Sequence, residues 1–122
     1  MLGIALAALI AATSPDDPCP VSDNTEEADS CLGAAVIAAD AELERLVARL
    51  RPLMAADPAR RRDFEASQTS WLAYRKATCG DLVDSFWTSG AFRIAAGLQC
   101  QQRLTRSRIR DLQVIFSGPL DE

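Results

Sequence analysis

Twelve consecutive residues, Gln68 to Cys79 (QTSWLAYRKATC), bring together a carboxamide, an indole, a phenol, a guanidinium and a thiol. Side chains of these types populate binding sites, yet their spacing points first to a framework. Phe64, Gln68, Trp71, Arg75 and Cys79 follow helical periodicity and share one broad helix face. Trp71 on that face reads as a core anchor. Gln68 and Arg75 beside it must stay at the rim or find hydrogen-bond partners, because unpaired burial is costly.

Histidine is absent from all 122 residues. This removes Ser-His and Cys-His nucleophilic systems and histidine-based zinc sites, leaving only bases of lysine or carboxylate type. Carboxylates are numerous, but no two are fixed by spacing into a general acid and base. No Walker loop, dinucleotide fingerprint or calcium loop occurs. The four cysteines, Cys19, Cys31, Cys79 and Cys100, contain no C-x-x-C pair, which argues against zinc. The expectation is a protein without catalytic residues, cofactor or metal, and not an enzyme.

Charge is unevenly spread. The net charge is -4, yet no Lys or Arg precedes Arg45, and nine acids fall in residues 1–44. An acidic front and a basic back either complement each other within the fold or offer a field to a cationic partner. Nucleic acid is not expected, because the bases are interspersed with acids and lack an aromatic-rich binding motif.

Met1 to Ala12 (MLGIALAALIAA) is an apolar and small-residue run followed by Thr-Ser-Pro. It reads as a secretory signal over residues 1–14, too short to span a bilayer, with cleavage near Ala12 to Ser14. Residues 15–122 then form one domain in the periplasm or outside the cell, with no membrane span once the leader is removed. Export and an even cysteine count favour two disulfides. Three pairings are possible; the simplest joins Cys19 to Cys31 and Cys79 to Cys100, closing two local loops.

The elements that carry these residues read as an all-α fold of three main antiparallel-type helices with short connections. Thr25 is a cap candidate, with Glu26 and Glu27 favouring the first turn. Leu32, Val36, Ala39, Leu43, Leu46, Leu50 and Leu53 alternate by four and three, predicting a helix that ends near Arg51 and Pro52. Asp40 sits beside this stripe, either as a solvated carboxylate or as the partner of an arginine on another helix. Asp57-Pro58 opens a second helix running to about Thr78, with Gly80 as its stop. Arg60-Arg61-Arg62 reads as a solvated face.

Residues 81–93 are ambiguous between a short helical turn and a loop. Phe86, Trp87 and Phe92 are the candidate partner surface there, although packing over the core is the expected use of these rings. A third helix spans roughly Phe92 to Phe116, its stripe of Ile94, Leu98, Ile109, Leu112 and Phe116 interrupted by Gln101 or Gln102 and by Thr105. That polar break can meet Gln68 or Arg75, and Asp40 is a second candidate partner for Arg75. Ser117-Gly118-Pro119 should end the helix and leave a loose tail.

These blocks resemble the LprI-like family of small exported bacterial domains. Gln68, Trp71, Tyr74, Arg75 and Cys79 match the family pattern Q-x-x-W-x-x-[YF]-R-x-x-x-C, and Cys100, Thr105, Arg108 and Leu112 match C-x4-T-x2-R-x3-L. Thr25, Glu27 and Cys31 resemble the segment around an early cysteine, and Asp40, Leu43 and Leu50 the first helix. Glu44 and Val47 stand where the family often has Asn and Tyr, Lys76 replaces a common acid, and Thr88-Ser89-Gly90 replaces a glycine-rich turn. The resemblance implies a disulfide-stapled helical domain whose motif residues Asp40, Gln68, Trp71, Tyr74, Arg75, Thr105 and Arg108 are structural. It implies a protein-binding function, with lysozyme as the named partner; the alternative is a structural or envelope-maintenance module.

Overall fold

The computed structural model describes residues 17–20 and 24–121; the expected leader, residues 1–14, lies outside them. The described residues form helices and connections with no strand. Helix α1 spans Thr25–Met54, α2 Pro58–Lys76, α3 Val83–Phe86, α4 Gly90–Ile115 and α5 Ser117–Asp121, and a π-helical segment, Ala77–Leu82, joins α2 to α3. Disulfides join Cys19 to Cys31 and Cys79 to Cys100.

Helix starts follow local chemistry. Asn24, not Thr25, caps α1: its side chain accepts from the backbone N–H groups of Glu26 and Glu27 at 3.1 and 3.2 Å. Asn holds such a cap at least as well as Thr, and the two glutamates complement the positive helix end. Asp57 caps α2 by accepting from the N–H groups of Ala59 and Arg60, and Pro58 takes the first helical position, where no N–H is needed.

Helix ends were harder to foresee. Helix α1 continues through Pro52 to Met54, because Met54, only 2 % exposed, extends the stripe from Leu50 by four residues. Leu53, three residues on, is exposed instead. Gly80 does not stop the second helix. It keeps a right-handed backbone, and the chain widens into the π segment and then runs on to Phe86. A glycine stop needs the left-handed conformation, and here the bridge from Cys79 to Cys100 and the packing on α4 hold the helix on course. Gly97 of α4 lies against this segment: a Cβ there would sit 3.4 Å from the carbonyl oxygen of Cys79.

The tail also departs from expectation. After a break at Phe116, whose N–H bonds the Leu112 carbonyl, residues 117–121 form a short helix and Leu120 packs on the core. Leu120 supplies the apolar contact that a loose tail would lack.

Helices α1 and α4 run parallel and make the principal packing interface, with α2 antiparallel to both. Thr105 and Arg106 of α4 meet Asp40 and Glu42 of α1, while Arg51 and Asp40 of α1 meet Glu65 and Arg75 of α2 in reversed order. The core occupies the half holding the C-terminal parts of α1 and α4: Leu43, Leu46, Val47, Leu50, Met54, Phe64, Ile109 and Leu112, with Trp71, Phe116 and Leu120 packed against it. Phe64 and Phe116 meet edge to face at 6.3 Å. The α4 stripe differs from expectation at its start, where Ile94 is 51 % exposed; inside, Gln102 and Thr105 are fully buried.

Candidate partner-binding surface

Above the apolar core lies a polar layer built from the sequence motif. The Arg75 guanidinium donates through Nη1 to Asp40 Oδ1 at 2.7 Å and to Thr105 Oγ1 at 2.9 Å, and the Thr105 hydroxyl donates to the same Asp40 oxygen at 3.1 Å. One side chain from each of α1, α2 and α4 thus closes a three-way tie. Arg75 also lies over the Trp71 ring, 5.0 Å from its centroid. One turn towards the core, Arg108 donates to Gln68 Oε1 from Nε and Nη2, at 2.8 and 2.6 Å, and to Ser67 Oγ at 2.9 Å. Burial lowers the Arg108 pKa against the opposing pull of Asp111; a guanidinium nevertheless stays charged, so its donors must be satisfied.

Six of the seven motif residues therefore tie helices together. Tyr74 does not: it is 57 % exposed. Asp40, Gln68, Trp71 and Arg75 also line an open groove of about 440 Å³ between α1 and α2, with Leu43 and Val47 among its apolar lining. Of its charged groups, Asp40 and Arg75 are engaged with each other and Arg51 is held by Glu65 at 2.9 Å, while Glu44 makes no ion pair among the described residues. The groove is a seam of the framework.

The exposed aromatics lie elsewhere. Phe86 ends α3, Trp87 follows it and Phe92 opens α4; they are 75, 40 and 64 % exposed. Their placement corrects the expectation that they pack over the core. The reason is geometric: α3 ends just before the chain turns at Trp87 to Ser89, so the rings flank that turn, where Leu32 is the buried side chain that shares their groove. Adjacent rings still support each other, with Phe86 and Trp87 centroids 5.7 Å apart and Trp87 and Phe92 6.2 Å apart.

Both disulfides hold this tip. Cys79–Cys100 fixes the π segment below α3 to α4, and Cys19–Cys31 fixes the segment around Asp17 and Pro20 to α1. Between them lies a groove of about 420 Å³ in which Trp87 and Phe92 face Asp17, Cys19, Ala28 and Leu32. The acidic first turn of α1 flanks this groove, and Asp84 reaches Arg93 at 3.9 Å. Asp17, Glu26, Glu27 and Asp84 thus share one end of the bundle with the exposed rings. Among the described residues no group of acids and cysteines could hold a metal ion, and the motif hydroxyl that meets a carboxylate, Thr105 on Asp40, is fully buried and held by Arg75.

Sequence reasoning missed Leu82, 60 % exposed, and placed Ile94 in the core stripe, although both belong to the apolar surface of this half. Periodicity gives no signal for Ile94: it lies five helical turns before Leu112, in phase with the positions α4 buries, and it precedes Gly97, the first of them.

A family model described as Lysozyme inhibitor LprI matches residues 19–112. No curated protein and no solved structure matches the chain.

Proposed function

The chain belongs to the LprI family of lysozyme inhibitors, and from that membership we propose that it is an exported, non-catalytic domain that binds and inhibits a lysozyme through its aromatic tip. The observation that carries the reading is the cluster of Phe86, Trp87 and Phe92, exposed together at the acidic end. Aromatic side chains in a partly shielded patch are the usual anchors of a protein interface. Acids around them, Asp17, Glu26, Glu27 and Asp84, would steer the tip towards a cationic enzyme and hold its orientation. The disulfides on either side pre-order the tip, so little conformational freedom is lost on binding. They also accord with an oxidising compartment outside the cytoplasm.

Inhibition on this reading is steric: the tip covers the substrate cleft and no bond is made or broken. Adding the purified oxidised chain in excess to c-type and g-type lysozymes at low salt should reduce the lytic rate of at least one. An unchanged rate with both sinks the proposal.

A further inference from the structure

The end opposite the aromatic tip has its own character. The turn between α1 and α2 exposes Pro52, Leu53, Ala55, Ala56, Pro58 and Ala59, an apolar cap with one acid, Asp57, whose side chain is engaged in capping α2. Arg51 stands on one side of this cap and Arg60, Arg61 and Arg62 on the other, all exposed. Arg51 is paired with Glu65 and Arg60 lies 3.9 Å from Asp57, whereas Arg61 and Arg62 make no ion pair among the described residues. Ile115, 65 % exposed, extends the apolar surface along the groove it shares with Arg60, Asp63 and Arg108.

The same polarity runs through the whole bundle. Divided at the level where Asp40, Arg75 and Thr105 meet, the described residues within 41–65 and 105–121 include nine bases and seven acids, whereas those within 17–40 and 75–104 include four bases and seven acids. Along α1 this follows the helix dipole, with Glu26 and Glu27 in the first turn and Arg51 in the last.

We propose that the basic, apolar turn between α1 and α2 docks on an anionic lipid bilayer, leaving the acidic aromatic end facing away from the surface. The net charge of -4 does not oppose this. The 30 residues of α1 separate the two ends by about 45 Å, several times the Debye length of about 8 Å at physiological salt. A membrane therefore senses the near end alone. There the arginines meet lipid phosphates while Leu53 and the flanking prolines and alanines enter the headgroup boundary, the combination by which peripheral segments hold a surface. No described helix is long and apolar enough to cross a membrane, and docking of this kind needs none. The occupant is a bilayer rather than a free polyanion because the arginines surround an apolar cap.

The test is sedimentation of the full oxidised chain with vesicles of phosphatidylglycerol mixed with phosphatidylcholine, against phosphatidylcholine alone. Binding should require the anionic lipid and weaken as salt rises. The double substitution Arg61→Gln with Arg62→Gln should weaken it about 30-fold, and Leu53→Ser about tenfold, both with unchanged helical circular dichroism. Phe86→Ser, at the far end, should leave it unchanged, and Trp87 should stay accessible to an aqueous quencher on bound vesicles. Equal binding to neutral vesicles, or indifference to the arginine pair, overturns the proposal. So does loss of binding in Phe86→Ser, or competition by a soluble polyphosphate with Leu53→Ser unchanged. Lysozyme inhibition is read in a separate assay without lipid, so either proposal can fail while the other stands.

Discussion

Arg75 Nη1 lies 2.7 Å from Asp40 Oδ1, across 35 residues of sequence, and Thr105 binds both from α4. This contact turns the most distinctive stretch of the chain inward. Its guanidinium is spent on joining helices and is not offered to a partner.

Replacing Arg75 with Ala should therefore cost stability. The pair is only part-buried, with 20 % of the Arg75 side chain and 37 % of the Asp40 side chain exposed, so the loss should fall below the range for fully buried pairs, at about 2 kcal/mol. Urea denaturation checks it. A cycle with Asp40→Asn should return a favourable coupling; additive losses would mean that the contact contributes nothing of its own.

The bridges should act differently on stability and on the tip. On the chain-entropy view each loop, with sequence separations of 12 and 21 residues, contributes about 3 kcal/mol. Replacing Cys79 and Cys100 together by Ser should lower the melting temperature strongly and expose Trp87 further to an aqueous quencher, since that bridge anchors the π segment beneath α3. An unchanged melting temperature, or four titratable thiols in the native protein, would refute the assignment.

Gly97 sets how closely α4 approaches the π segment. A Cβ there would meet the Cys79 carbonyl at 3.4 Å, ordinary contact, so Gly97→Ala should be neutral within about 1 kcal/mol, close packing being offset by better helix propensity. Gly97→Leu has no such room and should lose about 2 kcal/mol or more. Equal melting temperatures for the two variants would show that this approach is not tight.

Glu65 carries a pH dependence with a defined sign. The hydrogen bond from Arg51 holds its carboxyl below the usual value, so the folded protein binds that proton more weakly than the unfolded chain does. The contribution is present above the unfolded pKa, about 4.3 for Glu, and is lost as pH falls through the lower folded value. Chemical denaturation at a series of pH values should show an acid limb that Glu65→Gln reduces slightly, the pair being exposed. A Glu65→Gln profile that falls more steeply than the parent would contradict the sign.

Much of this framework was legible in advance. Leu32 to Leu50 carry helical periodicity in their spacing, Asp57-Pro58 signals a helix start, and the local cysteine pairing was the simplest of three. What escaped depends on contacts distant in sequence. Gly80 signals a stop only if the backbone turns left-handed, and its neighbours' bridge and packing to α4 prevent that. Leu53 and Met54 are both apolar, and only the position of Phe64 and Leu112 decides which is buried. Whether Phe86, Trp87 and Phe92 point into the core or out of it depends on where α3 ends against α4, which periodicity does not encode.

On the proposed function these three rings, and not the groove around Trp71, meet the partner. The most direct test compares lysozyme inhibition by the parent chain with that by Trp87→Ala and by Phe86→Ser, each with unchanged helical circular dichroism, against Tyr74→Ala as a control. A central aromatic anchor contributes about 2 kcal/mol or more to a protein interface, so each tip variant should inhibit roughly 30-fold more weakly while Tyr74→Ala matches the parent. Full inhibition by both tip variants, or its loss in Tyr74→Ala alone, would contradict the account.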